Sequence, residues 1–369
     1  MRKNKTLKSF ICLILFIWLV QSCKTNESKF KWKGTIEKKG NKIIVNNPSQ
    51  PVIKDFKLSL EEQFILGNQK DENDIFYRVV SIALDSKENI YVLDSRDYCI
   101  KVFNPQGKFV KRIGRKGQGP GEFPESAFAM KITENDDIYI LFPNNARIDK
   151  FNKQGIYKKS IEIPPFTGRF YIDSSENIFA ETAIWNEKGE RRRIIKVKNG
   201  MVKKEYASFK RVNPYQDYRM FRSDKGMLIY GRKHEYKFYI SDDKNLDIEV
   251  NCDAPPVPYS KEERNEHFKN SQRRPPEFRF KRPPVKPFFS SIIMDDCGWI
   301  WIIRVSPYEG KYYCDIFDSQ GRYIYQLLLD YAPDLIKNHF LYSVYEDVES
   351  GYLIKKFKMK NWPPYNPCS

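Results

Sequence analysis

The side chains of this sequence that are best suited to bind an anion lie in a run of glycines. Gly114–Gly121 contains Arg115 and Lys116, and glycine-rich loops cradle phosphate when their backbone N–H groups converge at the start of a helix. Here Pro120 and Glu122 occur instead, and no helical pattern begins. We interpret the run as a flexible crossover between strand units, with Arg115 and Lys116 as candidate ligand-binding residues at its rim.

Arginine clusters are the second source of binding chemistry. The chain has a formal net charge of +17, and such cations contact phosphates, anionic lipid headgroups or acidic glycans. The clusters are Arg191-Arg192-Arg193, Arg273-Arg274 and Arg279-Phe280-Lys281-Arg282. Glu187 and Glu190 lower the net charge of the first cluster, and we interpret that cluster as a solvated strand edge. Arg273, Arg274 and Arg279 are the further candidate ligand-binding residues.

Acid–base, metal and redox chemistry have few candidates. The only histidines are His234, His267 and His339, which are too scattered to assemble a Ser/His/Asp triad or a multi-histidine metal site. The later cysteines, which form no CxxC pair, are Cys99, Cys252, Cys297, Cys314 and Cys368. They are expected to be mostly reduced and buried, while pairing of Cys297 with Cys314 stays open. We predict no catalytic residue, no metal ligand and no cofactor.

The N-terminus predicts export. Four basic residues among the first eight precede an apolar run, Phe10–Val20, which describes a secretory signal peptide. The run is shorter than the roughly 20 residues of a membrane-spanning helix; the alternative is a buried N-terminal helix. Val20-Gln21-Ser22-Cys23 resembles the lipobox of bacterial lipoproteins, although Val20 and Gln21 depart from the commonest pattern. The resemblance implies lipid attachment at Cys23 and a lipid-anchored location in the cell envelope, on its periplasmic or outer-membrane face.

An internal repeat then indicates which elements position these residues. Aromatic residues make up 15% of the chain, which favours strands. A short polar residue precedes an apolar strand position by six residues in six places: Asp85/Tyr91, Thr133/Tyr139, Asp173/Phe179, Ser223/Ile229, Asp295/Trp301 and Asp347/Leu353. The stretches between them are rich in turn-forming residues. The spacing is that of four-stranded propeller blades.

In at least three units a second hairpin follows the first strand, with turns at Asn104–Gly107, Asn152–Gly155 and Asp318–Gly321. One long interval holds a Pro-rich, charged insertion, residues 254–287, with a helical pattern over Lys261–Asn270. Such a loop carries a binding function or merely packs over one face.

The repeat must close, because an open edge strand invites pairing with other chains. Trp32–Val45 contains two short strand patterns, and we predict that it completes the blade begun at Leu341–Trp362. The predicted fold is therefore all-β, a six-bladed β-propeller closed by pairing of the N-terminal and C-terminal segments. A β-sandwich or two small domains are the alternatives. The predicted organisation is a signal peptide (1–22), a lipidated tether (23–31), the propeller (32–362, with its insertion) and a tail (363–369).

The residues Phe76–Phe123 carry a family resemblance. Ile90-Tyr91-Val92-Leu93-Asp94-Ser95, Ile100-Lys101-Val102-Phe103 and Ile113-Gly114 to Glu122-Phe123 resemble an NHL repeat. Over Trp32–Trp362 the chain is similar to the six-bladed β-propeller lipoproteins of bacterial envelopes. The resemblance implies the fold and the location, and little chemistry.

Enzymes on related propellers bind a channel metal, and Asp97, Asp149 or Glu181 could face such a channel. The alternative function is therefore a channel-metal hydrolase or lyase. The leading expectation is a non-enzymatic, membrane-anchored lipoprotein that uses one propeller face to bind a protein or glycan of the envelope. A nucleic-acid partner is not expected, since the export signal separates the chain from RNA.

Overall fold

The structure, a computed structural model, is an all-β ring of six sheets, as the repeat predicts. It describes residues 32–68, 72–124, 127–173, 175–186, 189–210, 218–222, 226–242, 247–273, 284–305 and 310–362. The predicted signal peptide, Cys23, Arg274, Arg279 and Cys368 lie outside these residues. Within them, no helix has both the length and the apolar character needed to cross a membrane.

In the part of the chain that the structure describes, twenty-six strands form the blades, and each blade starts with its innermost strand. Three strands precede blade 1: β1 (Thr35–Lys39), β2 (Lys42–Asn47) and β3 (Leu60–Leu66). Blade 1 contains β4 (Val79–Leu84), β5 (Ile90–Asp94), β6 (Cys99–Phe103) and β7 (Phe109–Ile113). Blade 2 contains β8 (Ala129–Ile132), β9 (Ile138–Phe142), β10 (Arg147–Phe151) and β11 (Tyr157–Glu162). Blade 3 contains β12 (Arg169–Ile172), β13 (Ile178–Asn186), β14 (Gly189–Lys198) and β15 (Met201–Lys210).

The second half of the ring follows the same order. Blade 4 contains β16 (Tyr218–Arg222), β17 (Leu228–Arg232), β18 (Lys237–Ser241) and β19 (Asp247–Cys252). Blade 5 contains β20 (Phe289–Met294), β21 (Ile300–Arg304), β22 (Tyr312–Phe317) and β23 (Tyr323–Leu329). Blade 6 contains β24 (Leu335–Lys337), β25 (Phe340–Asp347) and β26 (Gly351–Met359). The helical elements are α1 (Lys261–Gln272) and two short 3₁₀ turns, Glu72–Asp74 and Pro143–Asn145.

The core lies between blades rather than within them. Six apolar clusters occupy the six interfaces between neighbouring blades, and the cluster between blades 6 and 1 joins Leu66 and Ile354 to Val79 and Val92. Because both faces of each blade are covered, the second strands are mostly apolar; all five residues of β5, including Asp94, are buried.

The six-residue step of the repeat has a hydrogen-bonding cause. The Asp85 carboxylate accepts from the backbone N–H groups of Lys87 and Asn89, each at 2.9 Å, and from the Tyr91 hydroxyl at 3.3 Å. Asp295 likewise accepts from the Trp301 indole at 3.0 Å. One side chain therefore closes the turn and also receives the polar tip of the aromatic that follows.

The sixth pair of the predicted repeat, Asp347/Leu353, was placed wrongly. In blades 1, 2, 3 and 5 the pair flanks the turn between the first and second strands, but Asp347 ends β25, the second strand of blade 6. Ser223 of the fourth pair lies outside the described residues. The corresponding turn of blade 6 consists only of Asn338 and His339, both with positive φ. A two-residue turn of this kind joins antiparallel strands without the longer polar loop.

Ring closure uses N-terminal residues, but not the ones predicted. The strand that completes blade 6 is β3, which pairs antiparallel with β26 in a register that places Leu66 opposite Ile354. The segment Trp32–Val45 belongs to blade 4 instead. There β2 pairs parallel with β19, and β1 forms the free edge of a six-stranded sheet.

The segment between β2 and β3 crosses blade 5. The backbone N–H groups of Val52 and Ile53 donate to carbonyls of β23 at 3.2 and 2.9 Å. Asn47 fixes the start of this crossing: its amide donates to Gly321 O at 2.9 Å, and its carbonyl accepts from Tyr323 N at 2.7 Å and the Trp32 indole at 3.0 Å. The N-terminal residues therefore form a belt over blades 4, 5 and 6.

The insertion after β19 folds as a stem with a helix on top. Tyr259 N donates to Pro284 O, and Lys286 N donates to Val257 O at 2.7 Å. The helix α1 begins where the sequence predicts it, with Ser260 and Glu263 forming a capping box, and no residue of it is buried.

The cysteines of the described part are free thiols. Cys99 and Cys314 are buried, while Cys252 and Cys297 are partly exposed. Cys314 lies in β22 and Cys297 in the turn that precedes β21, so the two do not face each other on neighbouring strands.

Candidate binding face

The chain path separates the ring into two faces with different loops. Since each blade is an antiparallel meander, the loops between its second and third strands emerge on the same side as the loops that enter the next blade. We name this side the loop face, and the opposite side, with the tight turns, the turn face. The insertion with α1 also leaves from the loop face, between blades 4 and 5.

Exposed aromatic side chains mark the loop face. Tyr77, Phe128 and Phe166 each lie one to three residues before the innermost strand of blades 1, 2 and 3, and they are 55%, 48% and 59% exposed. Trp185, near the tip of the β13–β14 hairpin, is 62% exposed. Large apolar side chains in the corresponding loops of three successive blades are the kind of feature that marks an interaction surface.

A buried carboxylate holds the first of these aromatics in place. Asp94 accepts from the backbone N–H groups of Tyr77 and Arg78 at 2.7 and 2.9 Å, and from those of Arg96 and Asp97 at 3.1 and 3.2 Å. A carboxylate with four N–H donors is fully compensated for its burial. Asp94 therefore ties the loop that enters blade 1 to the loop that leaves β5.

The loop that presents Phe166 is held at both ends and strained in the middle. Thr167 Oγ1 donates to Pro164 O at 2.7 Å, and Thr182 Oγ1 donates to Pro165 O at 3.0 Å. Phe166 itself adopts a φ of 59°. The left-handed conformation is costly for a large side chain, and such strain clusters at functional positions.

Arg115 and Lys116 lie on the loop face, in the loop that enters blade 2, but they do not form a phosphate cradle. The Glu122 carboxylate accepts from Gly119 N at 2.9 Å and from Arg115 Nε at 2.9 Å. These bonds, first that from Gly119, lower the pKa of Glu122. The Glu122 carboxylate thus takes the hydrogen bonds of this loop that a phosphate would need. Lys116 Nζ lies 4.9 Å from the centre of the Tyr98 ring. This contact connects the loop that enters blade 2 with the β5–β6 loop of blade 1.

One of the remaining candidates lies within the described residues. Arg273 is the exposed C-cap residue of α1, in the insertion that leaves the ring between blades 4 and 5. Arg191, Arg192 and Arg193 are not a solvated edge: their partners are Ser208, Glu190 and Glu205 respectively, and Arg192 and Arg193 are largely buried.

The three carboxylates considered for a channel metal have basic partners. Asp97 lies 2.9 Å from Lys101 and 2.6 Å from Arg112, and Asp149 lies 3.1 Å from Arg147. Glu181 lies 3.3 Å from Arg169. Burial raises the pKa of Asp97, but its bonds to Lys101 and Arg112 outweigh this and lower it. The side chains of all three carboxylates are thus engaged in ion pairs.

One group of possible metal ligands is close-packed within the described residues: Asp295, Asp296 and Cys297. Asp295 already accepts N–H bonds from Trp299, Trp301 and Trp362. Because its lone pairs face these donors, this turn fits a structural role.

The aromatics of the loop face were missed from the sequence. Tyr77, Phe128 and Phe166 lie in the loops before the first strands of blades 1 to 3, whereas the repeat was recognised from the polar turn after that strand. Comparing these entry loops would have shown an aromatic in each of the three.

Comparisons with known proteins agree with this fold. A protein of the DUF4221 family from Bacteroides vulgatus ATCC 8482 aligns over 82% of this chain and 98% of its own, with 15% identity and a TM-score of 0.57. A Bacteroides fragilis NCTC 9343 protein named as exported aligns over 86% and 99%, with 12% identity and a TM-score of 0.53. None of the curated proteins matches the chain.

The sequence profile of one family gives the assignment. The profile of DUF5128, described as a 6-bladed beta-propeller, matches residues 33–273. This match covers more than half of the chain, from the hairpin of β1 and β2 to the end of α1. The chain therefore belongs to the DUF5128 family of 6-bladed beta-propellers.

Proposed function

We propose that this protein is a binding module of the bacterial cell envelope, anchored by a lipid on Cys23, and that its loop face recognises a protein partner. The N-terminal sequence pattern supports the location. The observation that carries the binding role is the set of exposed aromatics, Tyr77, Phe128, Phe166 and Trp185, on one face of a rigid ring.

The composition of the face favours a protein over a small ligand. Tyr, Trp and Arg are the residues that contribute most to binding energy at protein interfaces. Here they lie on loops of blades 1 to 3, and Arg78 follows Tyr77 directly. The strain at Phe166 further supports a role, because a free surface loop has no reason to hold a bulky side chain at positive φ.

Affinity capture from the organism's own envelope extract tests this proposal. The bait is the full chain, and the variant carries Tyr77→Ser, Phe128→Ser and Trp185→Ser. We expect the wild type to capture a defined protein and the variant to lose at least about tenfold of it, since hot-spot truncations cost roughly 2 kcal/mol or more.

A matched control removes equally exposed apolar side chains elsewhere. Val110, Ile156 and Leu328 are 53%, 58% and 53% exposed and lie on outer strands or the turn face. The triple change to Ser at these positions is expected to leave capture intact. Capture that survives the loop-face substitutions, or that is lost equally in the control, would contradict the proposal.

A further inference from the structure

A second concave surface lies on the side of the ring, between blades 3 and 4, away from the loop-face aromatics. It is a cleft of about 710 Å³ that continues into a hollow of about 380 Å³. Lys42, Tyr206, Tyr230 and Asp247 line both parts. Each of the two volumes is within the range of ligand-binding clefts.

The cleft exists because blade 4 is wider than its neighbours. One wall is β15, the outer strand of blade 3, and the other is the face of blade 4, extended outward by β2 and β1. The apolar cluster at this interface has five buried members among the described residues, against nine or more at every other interface. The two blades therefore separate towards the rim instead of packing together.

Aromatic rings form the floor of the cleft and cover one another. The ring centres of Tyr230 and Tyr239 are 5.1 Å apart in a stacked arrangement, and Tyr206 lies 6.4 Å from Tyr230. Ammonium groups cover the rings as well: Lys42 Nζ lies 5.0 Å from the centre of the Tyr239 ring, and Lys204 Nζ lies 4.6 Å from that of Tyr206. The floor therefore offers few open ring faces for stacking.

Basic side chains dominate the walls. The cations that line the two parts are Lys38, Lys39, Lys42, Lys204, Arg232 and Lys237, and the acids are Glu205, Glu235 and Asp247. Lys42 and Lys237 hold Glu249 between them at 2.5 and 2.8 Å, which fixes both ammonium groups beside the tyrosines. The excess of cations favours an anionic ligand.

We propose that this cleft binds an acidic oligosaccharide. The two adjoining hollows suit a short linear chain, and the lysines suit its carboxylates or sulfates. Single-stranded nucleic acid needs exposed aromatic faces on which bases stack, and the tyrosine faces here are covered. The site is independent of the proposed loop-face function.

Titration calorimetry with defined hexasaccharides tests the proposal on the full chain. The probes are hexagalacturonate, a sulfated heparin-type hexasaccharide, neutral cellohexaose and a thymidine hexanucleotide. We expect at least one acidic saccharide to bind at least tenfold more tightly than both cellohexaose and the oligonucleotide, with an affinity that falls as salt rises. Failure of both acidic saccharides, or equal binding of either comparison probe, overturns the proposal.

A variant and its control locate the site. The cleft variant carries Lys38→Gln, Lys39→Gln and Lys204→Gln, and it is expected to lose at least tenfold in affinity with an unchanged melting temperature. The control carries the same change at exposed lysines of the turn face, Lys87, Lys108 and Lys153. Equal loss in both variants overturns the assignment to this cleft.

The loop-face variant separates the two proposals. Tyr77→Ser, Phe128→Ser and Trp185→Ser should leave saccharide binding unchanged, because these residues do not line the cleft. Loss of saccharide binding in that variant would move the saccharide to the loop face and contradict the proposal for the cleft alone.

Discussion

At the scale of single residues, a substitution of Phe166 is expected to change stability and partner binding in opposite directions. Its φ of 59° is unfavourable for a large side chain, whereas Asn tolerates this conformation. Since Phe166 is 59% exposed, little packing is lost on substitution. We expect Phe166→Asn to raise the free energy of unfolding by about 0.5–1 kcal/mol and to weaken partner capture.

Urea unfolding measures the first effect, and Phe128→Asn is the control. Phe128 is similarly exposed but does not have a positive φ, so its substitution should bring no gain in stability. Equal changes in the two variants would show that the backbone strain at Phe166 is not the cause.

The raised pKa of the Asp295 carboxyl is expected to make the free energy of unfolding depend on pH in one direction. Burial raises its pKa to about 6, against the opposing effect of its N–H donors, while the unfolded value is about 4. Its contribution to stability is therefore fully present below the unfolded pKa and is lost as pH rises through about 6. Relative to Asp295→Asn, the wild type should gain about 1 kcal/mol between pH 7 and pH 5.

Urea titrations of both proteins at several pH values give this difference. Subtracting the variant cancels the contributions of the other carboxyls. Parallel pH profiles for wild type and variant would mean that the carboxyl of Asp295 titrates normally.

At the scale of elements, the side chain of Asn47 connects the N-terminal belt to the ring by hydrogen bonds. Its buried amide group bonds to Gly321, Tyr323 and Trp32 at once. Asn47→Ala leaves these partners unsatisfied, so we expect a loss of about 2–4 kcal/mol of unfolding free energy. Asn41→Ala, in the exposed β1–β2 turn, should change stability by less than about 0.5 kcal/mol. A small effect at Asn47 would show that the belt contributes little.

The elements also show where sequence patterns succeed and fail. The Asp turns and middle strands were predictable, because a buried strand between two polar turns leaves a strong pattern, as in Asp85 to Asp94. The closing strand β3 was missed since six of its seven residues, Leu60 to Ile65, are only partly buried or exposed. Outer strands with one solvated face tolerate polar side chains. The apolar Ile43-Ile44-Val45 of β2 was therefore the more conspicuous candidate.

The candidate sites follow the same logic. Arg115 and Lys116 were predicted as rim contacts in a crossover between blades, and they lie in the loop that enters blade 2. A ligand-binding role for them and for Arg273 stays a prediction. The cleft between blades 3 and 4 was not predictable, because its walls come from β1, β2, β15 and blade 4. Only the placement of the N-terminal hairpin on blade 4 brings Lys42 next to Tyr239.

At the scale of the whole molecule, the belt makes the ring a closed unit, and hydrogen exchange can test the path of the chain. Each of β3 and β26 is paired within blade 6, and β3 closes the ring. We expect most β3 amides that bond to β26 to exchange nearly as slowly as those of β25, since opening them requires the ring to open. By contrast, β1 is a free edge of exposed residues, and its amides should exchange first.

The comparison between β1 and β3 is decisive because the two alternatives predict opposite orders. If Trp32–Val45 completed blade 6, Thr35–Lys39 or Lys42–Asn47 would carry the slow amides and Leu60–Leu66 would exchange as a linker. In Asn47→Ala, β2 should exchange faster while β3 keeps its protection, because β3 is held by β26 rather than by the hydrogen bonds of Asn47. Loss of protection in both strands would instead mean that the belt opens as one cooperative unit with blade 6.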